Sequence, residues 1–331
     1  MLGRKQTNIL VIKTDSLAAF VAAEPAFEAI RDAHQKSKIS LLTAPGLQRI
    51  ARASPYFDQV AAMPDFRDGE ARKAFLKQLK SAKFEKVYDL AGDDAGRRLR
   101  AAMGPFRPKW FAAEAAPKKS GKRRAAAAPA LAVEAPRVDK MLASAGLSAP
   151  DRLPDLRWAR NARKDSANMQ PSWYGISGAF GLLLPGVEAE RRWTASGYAG
   201  LAGIMARAGM MPVLAGPKEL HGFADEIAHE APQLVDLAGK TDHLQLAALA
   251  QEAAFFVSDD AEETHLALSV GCEGVLIARA SAAASAEGRH VVTLTAPADI
   301  GAVEPGFVWR TLSNMGLAPA EDRAPMLASA Q

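Results

Sequence analysis

Val257-Ser-Asp-Asp-Ala-Glu-Glu-Thr-His-Leu-Ala267 reads as the end of a buried strand running straight into a helix. A helix start carries unpaired backbone N–H groups and a partial positive charge, so in an α/β protein a turn of this kind is where an anion settles. Here two acids, Glu262 and Glu263, occupy the first turn. As the protein's own anions they favour the helix by roughly 0.3–1 kcal/mol. Against a bound phosphate at about 4 Å each would cost on the order of 1–4 kcal/mol.

Outward from this turn the strand-then-helix unit repeats. Apolar runs at Ala179–Leu184, Met211–Ala215, Leu234–Leu237, Ala254–Val257 and Gly274–Ala278 are separated by helical segments, notably Ala195–Ala208 and His243–Gln251. The first half shows the same alternation, with strands at Asn8–Lys13, Ile39–Thr43 and Lys86–Leu90 and an Ala-rich helical segment from Leu17 to Ala33. Continuous apolar strands alternating with helices indicate parallel sheets covered on both faces. The expected fold class is therefore α/β, with two Rossmann-like domains facing a cleft and ligands held beyond the strand C-termini. The domains are expected at residues 1–165 and 166–331, with Val303–Leu317 as a closing C-terminal helix. Lys118-Lys-Ser-Gly-Lys-Arg-Arg124, Ala125–Ala128 and a Pro/Ala tract break the pattern, and a flexible basic loop is expected over about 117–136 before helical spacing returns at Val138–Leu147.

The chain has 331 residues, 49% hydrophobic and 24% charged, enough for two soluble globular domains with cores of their own. No apolar run approaches the roughly 20 residues of a membrane span, and Met1-Leu-Gly-Arg-Lys5 leads into a strand without a signal-peptide core, so a cytoplasmic location is expected. The single Cys272 gives no internal disulfide and no metal cluster, and reads as a small buried hydrophobe. The net charge of +4 conceals an asymmetry. Residues 1–150 hold 27 Lys and Arg against 15 Asp and Glu, a balance of +12, whereas residues 151–331 hold 14 against 22, a balance of −8. A basic half suits an anionic partner such as a phosphorylated glycolipid or a membrane surface, or is simply a solvated face. Without interleaved aromatics, nucleic acid is not expected.

Several motifs occur together and in order. Leu184-Pro-Gly186 precedes Arg191-Arg-Trp193, then follow Leu214-Ala-Gly-Pro-Lys-Glu219 and Asp236-Leu-Ala-Gly-Lys-Thr241. With Val257–Ala267, they resemble the motifs of glycosyltransferase family 9, the ADP-heptose:lipopolysaccharide heptosyltransferases. The resemblance implies a two-domain GT-B fold with acceptor on the first domain and nucleotide sugar on the second. It gives Glu219 to the donor ribose, Leu237, Ala238 and Gly239 to the adenine side, Arg191 to the diphosphate, and Asp260 and His265 to the donor turn. The plain alternative is that Glu219 caps a helix and Asp236–Thr241 merely ends a strand.

The departures fall where the chemistry lies. The family's opening Ser-Leu-Gly-Asp, whose Asp is the presumed general base, stands here as Ser16-Leu-Ala-Ala19. Ala19 cannot accept a proton, and base catalysis contributes about 10²–10⁴-fold; Asp15 is a weak substitute. Ala261 and Glu262 replace the family's Thr and Gly, removing a hydroxyl and a permissive backbone together. His221, His229 and His243 lack metal-ligand spacing, Trp173 and Tyr174 suit packing, and Gly175-Ile-Ser-Gly178 lacks the ending of a phosphate loop. Neither a metal nor a cofactor is expected.

Two functions remain open. One is a heptosyltransferase-like protein that has lost its donor-phosphate and general-base positions and acts by binding ADP, a nucleotide sugar or an anionic glycolipid. The other is an active, diverged glycosyltransferase moving a sugar from a nucleotide-sugar donor to a lipopolysaccharide or other glycan acceptor. The Lys118, Lys119, Lys122, Arg123 and Arg124 cluster would then attract the acceptor, with the protein peripheral at the inner face of the inner membrane.

Overall fold

The computed structural model describes residues 6–65, 67–104, 108–115, 130–161, 166–259, 261–279, 291–296 and 299–320. The chain divides into two compact units, residues 1–158 and 159–331. The basic cluster Lys118, Lys119, Lys122, Arg123 and Arg124, and Asp260, lie outside the described residues.

The first unit is built on β1 (Asn8–Lys13), β2 (Lys38–Thr43), β3 (Gln59–Ala62), β4 (Lys86–Asp89) and β5 (Lys109–Ala112), all parallel in the order β3-β2-β1-β4-β5. Central β1 is apolar on both faces because both are covered, and Ile9 to Ile12 are all buried. Its helices are α1 (Leu17–Ala22), α2 (Glu24–Ala33), α3 (Gln48–Ala53), α4 (Gly69–Ser81), α5 (Asp94–Ala102) and α6 (Ala130–Ser144). Leu79 of α4 and Leu99 of α5 close on Leu10, Ile12, Leu42 and Val87, so these two helices share one face of the sheet. α6 packs on α1 and α2.

The second unit carries β6 (Phe180–Leu184), β7 (Met211–Gly216), β8 (Val235–Ala238), β9 (Phe255–Ser258), β10 (Gly274–Arg279) and β11 (Val291–Ala296), again parallel, in the order β11-β10-β9-β6-β7-β8. Around it run α7 (Ala195–Arg207), α8 (His221–Glu230), α9 (His243–Glu252), α10 (Glu263–Ser269) and α11 (Pro305–Asn314). Trp193, Tyr198, Phe255 and Trp309 anchor its core. Cys272 is buried, and burial pushes its thiol up to about 12.

Two expectations need correcting. Helix α6 starts at Ala130, inside the span read as loop, and runs through Pro136. Alanine's high helix propensity and an ion pair made by buried Glu134 outweigh the missing N–H of one proline. The expected closing helix is shorter, because Pro305 fixes the first turn of α11 and Gly316, at φ 76°, lies beyond its end. Among the described residues no helix is long and apolar enough to cross a membrane.

The last stretch of the first unit is tied down by a buried acid. Glu24 is 1% exposed and accepts from Arg152 at 2.7 and 3.0 Å, from the Asp155 N–H at 3.0 Å and from the Tyr56 hydroxyl. Removing the guanidinium leaves that carboxylate buried without its cation, the costly way to break such a pair. Arg152→Ala is expected to destabilise the first unit by about 2–3 kcal/mol in urea denaturation, and adding Glu24→Gln to recover part of the loss. An unchanged midpoint for Arg152→Ala would show that the clamp contributes nothing.

Candidate functional site

In a doubly wound sheet the chain reverses its winding between two neighbouring strands, and the crevice beyond their C-terminal ends is where ligands bind. The reversal lies between β1 and β4 in the first unit and between β6 and β9 in the second. The sequence-predicted site residues that are described lie at or just beyond the C-terminal ends of these strands and their neighbours.

In the second unit, parallel register sets four strand ends side by side: Leu184 pairs Ser258, Leu183 pairs Leu214, and Gly216 pairs Ala238. Arg191 therefore stands on the loop after β6, Glu219 in the short 3-10 turn after β7, Leu237, Ala238 and Gly239 at the end of β8, and His265, half-buried, in the first turn of α10. Glu219 is exposed, and the following α8 has Leu220 as its N-cap with no side-chain bond, so Glu219 does not cap it. The turns after β7 and β8 touch: the Gly239 N–H donates to the Gly216 carbonyl at 2.8 Å. At φ 65° Gly239 has the left-handed backbone that glycine favours, and a Cβ there would come within 2.8 Å of Lys218 Cβ.

Asp259, which sequence reasoning passed over, spans the reversal. Its Oδ1 accepts from the Gly186 N–H at 2.6 Å, and its Oδ2 accepts from the Trp193 N–H at 2.6 Å and the Tyr198 hydroxyl at 2.9 Å. Every partner is a donor, which suits a carboxylate's acceptor-only inventory. Desolvation nevertheless raises its pKa to about 7. The brace holds the β6 loop that carries Arg191, whose Nη1 lies 3.9 Å from Glu188 Oε2, while Arg192 stacks 3.6 Å above the Phe223 ring centroid. A doublet of acids directly after an apolar strand was the signal available in the sequence.

The turn between β9 and α10 is closed by the protein's own groups. Ser258 Oγ donates to the Leu184 carbonyl at 2.7 Å, leaving Thr264 to donate to Ser258. Glu263 is 8% exposed at the first position of α10, and desolvation raises its carboxyl to about 7, opposed by a bond from its own N–H. Burial is also the first cause of the lowered pKa of His243, with Asp242 and Glu262 pulling the other way.

At the first unit's reversal, Ala19 sits in the first turn of α1, where Ser16 Oγ accepts from the Ala19 N–H at 3.3 Å. Asp15 Oδ2 is 3.0 Å from the Nζ of Lys13, a side chain with no solvent exposure, and Asp15 Oδ1 is buried with no hydrogen-bond partner among the described residues. Lys13 also pairs with Glu134, which Arg137 holds at 2.5 Å. Thr14 Oγ1 donates to Asp93 Oδ2 at 3.1 Å across the reversal. Beside it Asp89 is raised to about 6, chiefly by burial. A lysine closing an otherwise apolar strand was the sequence signal for this network. Among the described residues no group of three His, Cys, Asp or Glu could hold a metal ion.

The family model described as glycosyltransferase family 9 (heptosyltransferase) matches residues 72–277. E. coli heptosyltransferase WaaC with ADP superposes with a TM-score of 0.64 at 17% identity, over 94% of this chain and 99% of that one. A family 9 glycosyltransferase from Veillonella parvula gives 0.69 at 14% identity over 93% and 97%, and E. coli ADP-heptose heptosyltransferase II gives 0.67 at 16% over 93% and 98%. No curated protein matches.

Asp259 and Glu263, with Asp89 acting in the same direction, set a pH dependence. Each binds its proton more tightly folded than unfolded, so its stabilisation is complete below the ordinary carboxylate pKa near 4 and is lost as pH rises through about 7. Thermal melting should fall between about pH 4 and 7, the interval between the ordinary and the raised carboxyl values. Glu263→Gln should flatten the fall and raise stability at the alkaline end by up to about 3 kcal/mol, whereas Asp259→Asn, which turns an amide toward N–H donors, should cost about 1–3 kcal/mol. Parallel pH curves for wild type and Glu263→Gln would contradict the assignment.

Proposed function

The chain belongs to glycosyltransferase family 9 (heptosyltransferase), and from that premise we propose that it is a heptosyltransferase-like protein that has lost donor-phosphate and general-base positions and acts by binding. The observation that carries the reading is Glu263, a buried acid at the first position of the helix where the family's turn meets donor phosphate. Ala19 supports it by offering only a methyl group, as does Asp15, whose oxygens are an ion-pair partner of Lys13 and a buried atom. The ligand proposed is ADP or a nucleotide sugar, since WaaC was solved with ADP and with ADP-2-deoxy-2-fluoro heptose. Glu219 would take the ribose hydroxyls, Leu237, Ala238 and Gly239 the base, and Arg191 whatever phosphate remains in reach, with Asp260 and His265 completing the donor turn. The basic half would face an anionic glycolipid or membrane surface, on the cytoplasmic side. Arg191 and Glu219, standing on neighbouring strand ends, favour the second reading, an active glycosyltransferase with a relocated base.

Calorimetric titration with ADP and an ADP-sugar separates these. Binding without turnover is the expected result; ADP release with heptose appearing on an acceptor would overturn the binding-only reading, and silence with both ligands would remove the nucleotide site. Ala19→Asp alone should restore no transfer, because Ala261, Glu262 and Glu263 still oppose phosphate. Any transfer should need Ala19→Asp, Ala261→Thr, Glu262→Gly and Glu263→Pro together.

A further inference from the structure

Among the described residues, a group of exposed cations of the first unit shares one side of its sheet. α4 and α5 lie over the same face. Toward solvent, α4 and its exit turn present Arg72, Lys73, Lys77, Lys80 and Lys83, and α5 presents Arg98 and Arg100, all exposed and none in an ion pair among the described residues. The acids beside them are Glu70, the cap Asp68 and Glu85 around α4, and the cap Asp93 and Asp94 at the start of α5, with Asp94 already paired with Arg97, so cations remain in excess. Lys73, Lys77 and Lys80 follow the spacing i, i+4, i+7, which sets them in one ridge along α4. Like charges at that spacing weaken a helix slightly, so the ridge adds nothing to the stability of α4 itself.

The seat of α4 is loose. Leu79 is its one buried residue, with Phe75 and Leu76 half-buried against the same cluster, and an open groove of 490 Å³ beside the helix is lined by Leu10, Leu42, Val60, Phe75, Leu79 and Phe84 among others. Few buried contacts mark an element of low local stability. Phe75, Leu76 and Leu79 face the sheet, which leaves the lysine ridge as the side of α4 open to a charged surface.

We propose that the α4–α5 face is a docking surface for an anionic bilayer, with the lysine and arginine head groups set among the lipid phosphates. A nucleic-acid surface fits less well, because stacking needs exposed aromatic rings and Phe75, Phe84 and Trp110 are all half-buried. The assignment rests on the reading above in which the basic half faces a membrane surface, and names the face that does so; nucleotide titration tests the second unit and vesicle binding the first, so the two fail independently.

The test is flotation of the full chain with phosphatidylcholine vesicles, with and without phosphatidylglycerol, at low and high salt. The expected result is binding that requires phosphatidylglycerol and weakens steeply with salt. Combining Lys73→Ser, Lys77→Ser, Lys80→Ser and Arg98→Ser should reduce it roughly a hundredfold or more while thermal melting and ADP titration stay as in the parent. Because this variant keeps Lys118–Arg124, undiminished binding would place the contact elsewhere and overturn the assignment. So would absence of parent binding, or tighter binding to nucleic acid than to the anionic vesicles.

Discussion

A carboxylate without a cation in direct contact holds the middle of the second unit. β6 and β9 come together where the winding reverses, and beyond Leu184 and Ser258 the ladder ends. Asp259 continues the connection by accepting two backbone N–H groups and a phenol. Two of those donors belong to residues of the core: Trp193 packs edge-on to Tyr198 at 5.0 Å between ring centroids, and Tyr198 packs on Phe223. The loop bearing Arg191 thus has its start and its end fixed through one side chain.

The first unit meets the same geometric need with charge pairs. Lys13 emerges at the end of β1 with no exposure, and Glu134 of α6 reaches it, steadied by Arg137, whose Nη2 donates to the Ala91 carbonyl at 2.8 Å. Without that acid the buried ammonium would keep only Asp15 as its counter-charge, a costly arrangement away from water. At both reversals described polar groups at the strand ends bond within the protein, Ser258 and Asp259 in the second unit and Lys13 and Thr14 in the first.

Much of this architecture was legible in the chain because central strands buried on both faces need uninterrupted apolar runs, as at Asn8–Lys13 and Phe180–Leu184. Three of the four described edge strands, β3, β5 and β11, were not, β8 being the exception: β3 has Gln59 and Ala61 exposed and only four residues, so it carries no such run. α6 was hidden by a Pro/Ala tract whose helicity depends on a partner 121 residues away. The family motifs led to Arg191, Glu219 and the β8 turn, which the fold sets on adjacent strand ends. They drew notice away from Asp259, since the residues beside it were compared with a phosphate cradle, and a brace made of backbone donors has no sequence pattern of its own.

Cys272 gives the chain a practical property. It is the single cysteine in 331 residues, it is buried, and its thiol is raised to about 12. Almost none of it is thiolate at neutral pH, the form that maleimides and disulfide reagents attack. A cysteine introduced at any exposed position would therefore be the only fast-reacting thiol in the folded protein, so fluorophore or spin-label reporters could be placed singly without first deleting a native residue.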